Sequence, residues 1–124
     1  LDQLELRERF LAIARESKPY YETVDVPGVG KVYVKRLITG ERDIFDPLLN
    51  GPMGNRVACL LYCCFDERGI KIFQPDEIDL IRQLDPNIAD PLVDKAMILN
   101  KLRVAEQEVL AKNLNGQGDK PSSG

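Results

Sequence analysis

The sequence has no histidine, and its three cysteines, Cys59, Cys63 and Cys64, fall within six residues. Lack of histidine removes the usual base of a Ser or Cys catalytic triad. Cys59 and Cys63 stand four apart, close enough to share a helix face, but zinc wants four ligands and no fourth cysteine exists. We therefore expect no metal and no cofactor. An odd number of cysteines cannot pair fully, and a bond between neighbours Cys63 and Cys64 would be strained. These thiols read as small buried hydrophobes of a protein kept in a reducing cytosol. No apolar run approaches the roughly 18 residues that span a bilayer, and no signal-peptide pattern opens the chain. It starts at Leu1 rather than methionine, so a few preceding residues are expected to be missing. A net charge of –3 supplies no basic face for nucleic acid. The balance is uneven: between Asp66 and Asn100 the acids outnumber Arg68, Lys71, Arg82 and Lys95 by four.

What is present is the material of one globular domain. A chain of 124 residues, 44% apolar and 30% charged, buries roughly two-thirds of its unfolded surface on folding. Val24-Asp25-Val26 and Lys31-Val32-Tyr33-Val34-Lys35 each alternate apolar and polar residues, as half-buried strands do. Between them Pro27 presets φ and Gly28 and Gly30 accept positive φ, which predicts a hairpin over about 21–37. Ahead of it Leu6, Phe10 and Ile13 recur at i, i+4 and i+7, predicting an amphipathic helix over about 3–16 that Pro19 ends. After it Thr39 offers an N-cap hydroxyl, with Glu41 and Asp43 in the first turn of a helix over 40–49.

The middle of the core should be Val57 to Phe65, nine residues whose only polar group is the Tyr62 hydroxyl. Strand and helix both suit so short an apolar run; Met53, Val57, Leu60, Leu61 and Cys64 fit helical spacing, which favours helix. A turn at Asp66–Gly69 and a short strand at Ile70–Phe73 follow. Gln74-Pro75-Asp76-Glu77 is a helix start, and Asp85-Pro86 and Asp90-Pro91 repeat the signal. The spacing of Leu92, Ala96, Leu99 and Leu102 predicts a long final helix over about 91–112. The fold class expected is α+β, a mostly helical single domain with one hairpin and four to five helices. That domain is expected to span 1–114, with residues 115–124, which have nothing to bury, as a disordered tail.

Motifs that carry chemistry are absent. Gly28-Val29-Gly30-Lys31 looks like the end of a phosphate-binding loop, but Asp25 stands where its first glycine belongs and Val32 where Ser or Thr would hold magnesium. The carboxylate groups Glu41 with Asp43, and Asp76 with Glu77 and Asp79, sit at helix starts, where electrostatics alone places acids. No enzyme is expected.

Two stretches carry a resemblance. Val26-Pro27-Gly28-Val29-Gly30-Lys31-Val32-Tyr33-Val34, followed by Thr39-Gly40-Glu41-Arg42-Asp43, resembles the front half of tail assembly chaperones of long-tailed bacteriophages. Cys63-Cys64-Phe65-Asp66-Glu67-Arg68-Gly69, then Ile72-Phe73, Asp76 and a closing Leu99-Asn100, is similar to their second half. The likeness covers about residues 20–102. It departs at Lys101, where relatives often place a glycine that ends the helix. The resemblance implies a non-enzymatic morphogenesis factor of the host cytoplasm that coats the tape measure protein, helps recruit tail tube subunits, and is absent from the mature virion. It also implies a second, longer form made by ribosomal frameshifting. From a different class comes the alternative of a small cytosolic regulatory adaptor, of phage or host, that binds one protein through its acidic face.

Assembly follows from the last helix. Leu92, Val93, Met97, Ile98, Leu102, Val104, Val109 and Leu110 spread around its circumference, more than one face hides. The residues expected to meet another copy or a client are Leu102, Val104, Val109 and Leu110, giving a homo-oligomer that strengthens on an amphipathic client.

Overall fold

The computed structural model describes residues 2–102. Five α-helices and a three-stranded antiparallel sheet make an α+β fold among these residues. Helix α1 spans Gln3–Glu16; its first turn is closed by Asp2, whose carboxylate accepts the Glu5 N–H at 2.8 Å. Strands β1 (Tyr20–Val26) and β2 (Gly30–Arg36) pair in register from Tyr20↔Arg36 to Val26↔Gly30. Their turn closes through the Val29 N–H donating to the Val26 carbonyl at 3.0 Å. Pro27 sits first in that turn and Gly28 second, at φ 77°, the arrangement of a type II turn.

Alternation gives the sheet two different faces. Val24, Val26, Val32 and Val34 point one way, toward helix α5 (Pro86–Leu99), while Tyr21 and Tyr33 point the other. The hairpin expected at 21–37 is therefore present, with a third strand added. That strand, β3 (Cys64–Phe65), is the end of the long apolar run: helix α3 takes Asn55–Cys63 and the chain then extends along β2. A run buried on all sides satisfies either conformation, and here it uses both in succession. Cys64 joins the core face opposite Val34, and Phe65 turns to the aromatic face, edge-on to Tyr21. Val57, Leu60 and Leu61 are buried as expected, with Phe45, Val34 and Leu60 among the most enclosed side chains.

Several boundaries differ from expectation, each for a local reason. Thr39 is the first residue of helix α2 (Thr39–Phe45) rather than its cap. Ile38 takes the cap position, and the Glu41 carboxylate reaches back to accept the Ile38 N–H at 3.0 Å. The α-helix stops at Phe45 because Pro47 has no N–H to continue it, and Asp46–Asn50 goes on as a 3-10 helix. Ile70–Phe73 contributes only a single bridge, Lys71 to Phe65. Beyond it Pro75–Glu77 forms a 3-10 turn leading into helix α4 (Ile78–Ile81), with the Glu77 carboxylate accepting the Gln74 N–H at 2.8 Å.

The largest correction concerns the final helix. Instead of starting near Pro91, α5 starts at Pro86, capped by the Asp85 carboxylate on the Asn87 N–H at 2.9 Å. Pro91 lies inside it. The carbonyl that Pro91 leaves without a partner belongs to Asn87, which is exposed to water, so the proline is tolerated. Instead of crossing to residue 112, the helix ends at Leu99. The Leu102 N–H donates to the Met97 carbonyl at 2.9 Å and the Lys101 N–H to the Ile98 carbonyl at 3.1 Å. Lys101 has φ 51°, the left-handed conformation of a Schellman stop, and does the work of a glycine there. Leu92, Val93 and Met97 are buried within this fold, so the same domain covers most of the helix.

Candidate protein interaction surface

Among the described residues no group of three or more His, Cys, Asp or Glu side chains could hold a metal ion. The three cysteines are free and fully buried. Burial pushes the Cys59 and Cys64 thiols up to about 12 and raises Cys63 further. Enclosed in this way, the three thiols pack as small apolar groups of the core. An open cleft is lined by the charged side chains of Lys31, Asp66, Glu67 and Arg68 together with Tyr33. Asp66 is already engaged in its own loop: its carboxylate accepts the Ile70 and Arg68 N–H groups at 3.0 and 2.8 Å, which hold it below the usual carboxylate range.

Charge pairs tie elements together at the surface. Lys35 meets Glu41 at 2.8 Å; burial works against the Glu41 charge, but Lys35 and the Ile38 N–H outweigh it and lower its pKa. Lys95 on α5 reaches Glu22 on β1 at 3.1 Å, and Arg56 on α3 grips Asp90 on α5 at 2.7 and 3.3 Å. These acids serve the fold, which is the reading given to Glu41 by its place at a helix start.

The distinctive surface is apolar. α1 buries none of its residues, and Leu4, Phe10 and Ile13 on it are 70%, 70% and 68% exposed. Sequence periodicity found this stripe, but periodicity cannot say whether a partner helix lies inside the same chain or outside it. Ile38 and Ile44 on and beside α2, Leu80 on α4 and Ile98 on α5 are also exposed. Single exposed apolar residues are ordinary; a whole helix face is not.

Of the four residues expected to meet a partner, Leu102 is buried in the core cluster. Val104, Val109 and Leu110 lie outside the described residues.

A search of solved structures returns a likeness to "Structure of bacteriophage HK97 tail assembly chaperone", with TM-score 0.51 and 18% identity. It covers 73% of this chain and 97% of that one. The chain shares the fold of that chaperone. No protein-family model matches the chain, and no curated protein matches it in sequence. Nearly the whole of the HK97 protein thus finds a counterpart here although fewer than one residue in five is shared.

Proposed function

We infer that this protein is a non-enzymatic tail morphogenesis chaperone of a long-tailed bacteriophage or prophage. It coats the tape measure protein, keeps its apolar stretches soluble, and helps recruit tail tube subunits around it. It acts in the host cytoplasm and leaves before the virion is complete. The fold likeness to the HK97 chaperone carries this reading, and the apolar face of α1, exposed among the described residues, gives it a surface.

The mechanism is burial. A client helix that lays its apolar face on Leu4, Leu6, Phe10 and Ile13 removes both surfaces from water, at about 25 cal/mol for each Å². Val104, Val109 and Leu110 join that contact, while Leu102 anchors the segment that bears them. Each copy covers a short length, so a long client binds many copies in a row.

Co-expression of the full chain with a tape measure fragment tests this. The fragment should become soluble and sediment with several copies of the chaperone. Phe10→Asp with Ile13→Asp, and Val109→Asp with Leu110→Asp, should each lower the soluble fraction with thermal unfolding unchanged. A strict monomer with and without the fragment would remove the mechanism and favour the single-partner adaptor. The gene is expected between those for a tail tube protein and a very long tape measure protein.

A further inference from the structure

The two edges of the sheet differ. On the β3 side the strand is two residues long, Phe65 is bridged to Lys71, and the Ile72 N–H donates to the Cys64 carbonyl at 3.1 Å. On the β1 side the strand runs for seven residues, Tyr20–Val26, and stands first in the order β1-β2-β3. All seven pair with β2 in one unbroken register. In an antiparallel pair every second residue turns its N–H and C=O away from the partner strand, so this edge presents a row of outward donors and acceptors. Among the described residues none of that row is taken. Beyond the ladder to β2, the β1 backbone makes only the turn bond from the Val29 N–H to the Val26 carbonyl.

Sheet edges are commonly blunted by proline, lysine, a bulge or brevity. β1 has none of these, and Tyr20-Tyr21-Glu22-Thr23-Val24-Asp25-Val26 is rich in residues that favour strand. A row of alternating N–H and C=O groups is matched by another extended backbone; a helix spends its own groups internally. The occupant is therefore a strand.

Charge decides whose strand it is. On the face toward α5, the Glu22 carboxylate already accepts from the Lys95 ammonium at 3.1 Å and the Tyr20 hydroxyl at 2.9 Å. On the opposite face Asp25 is exposed and forms no ion pair among the described residues, although Lys31 stands across from it on β2. A second copy laid antiparallel about Thr23 would set Tyr21 opposite Asp25 and bring the two Glu22 side chains diagonally together. That arrangement answers neither acid, whereas a foreign strand with a cation beside Asp25 does.

We propose that β1 accepts an extended segment of another protein as a fourth strand, one that alternates apolar residues beside Tyr20 and Val24 with lysine or arginine beside Asp25. Backbone hydrogen bonds supply the affinity, and Asp25 selects for basic sequence. The surface is separate from the apolar stripe of α1, so a strand and a helix can be held at once.

Hydrogen exchange on the full chain tests this, with a capped peptide that alternates valine and lysine as the probe. The β1 amides not bonded to β2 should exchange freely in the chain alone and slow about tenfold with the peptide, while α3 and α5 are unchanged. N-methylation of the peptide amides that face the edge should abolish the protection while keeping charge and sequence. Asp25→Lys should weaken binding of this peptide about fivefold, the scale of one exposed ion pair, and strengthen that of a valine–glutamate peptide by a similar factor. No protection of β1, equal protection by the N-methylated peptide, or unchanged affinities in Asp25→Lys would each overturn the proposal. Slow exchange of these amides in the chain alone would do so too. If independent of protein concentration, it gives the edge to this chain's own residues; if growing with concentration, to a second copy. No tape measure fragment is present, so the chaperone function stands or falls by its own test.

Discussion

Asn100 is the one buried polar residue of the described fold, and replacing it measures how firmly α5 is bolted to the sheet. Its side chain makes three hydrogen bonds: it accepts from Leu37 N–H at 2.7 Å and donates to the Lys35 and Ala96 carbonyls at 3.1 and 2.9 Å. In Asn100→Ala the Ala96 carbonyl keeps the backbone N–H of residue 100, but Leu37 N–H and Lys35 C=O lose their partners. A buried polar group left unpaired costs about 1–3 kcal/mol. The Lys35 site is only partly buried and water relieves some of that, so the expected loss is about 2–4 kcal/mol. Against a typical domain stability of about 5–15 kcal/mol this is a large fraction. Urea unfolding followed by circular dichroism should show a lower midpoint with an unchanged slope. Asn100→Asp is the informative companion. Its carboxylate still accepts from Leu37 but faces two carbonyl oxygens with no proton to offer. Burial raises the folded pKa of that carboxyl above its unfolded value, so the deficit is present at neutral pH and shrinks as pH falls toward 4. A loss below about 0.5 kcal/mol in Asn100→Ala would refute the reasoning, because these bonds would then be replaced by water at no cost.

Lys101→Gly should stabilise the protein by about 1 kcal/mol, since glycine adopts φ near 51° without the penalty an L side chain meets; no gain in the unfolding midpoint would mean Lys101 is unstrained. Leu60→Ala should cost about 2–5 kcal/mol, the range for emptying a buried leucine site, and a cost under about 1 kcal/mol would misplace the core. The thiols predict alkaline lability. With folded pKa values raised to about 12 at Cys59 and Cys64, protonated thiols stabilise the fold fully below the ordinary thiol pKa. That stability is lost as pH rises from about 9 toward 12, at about 1.4 kcal/mol per thiol for each pH unit. Replacing all three cysteines with alanine should flatten the decline in urea midpoint above pH 9.

The hairpin was legible because its signals are short-range: β-branched residues two apart and a Pro-Gly turn act within a dozen residues. The α3 core was legible from its lack of polar groups, but not its switch to a strand at Cys64, since that depends on an open edge of β2 which only the folded sheet presents. The end of α5 was hidden for a sharper reason. Lys101 is an ordinary helix former, and what turns it left-handed is the tertiary hold on Asn100 one residue earlier. The stripe of α1 was legible as a pattern and illegible as a surface, because Leu6, Phe10 and Ile13 have the same spacing whether they face a core or water.

The Asn100 tether also sets a timetable for synthesis. The Leu37 N–H it satisfies lies 63 residues earlier, so the hairpin can form on the nascent chain but cannot be locked until the end of α5 has left the ribosome. Once Leu102 emerges, every hydrogen bond described for the sheet and α5 is available from sequence already made. Any alternative sequence spliced on after that point would be appended to a finished body, and would change what the protein reaches for without changing what it is built on.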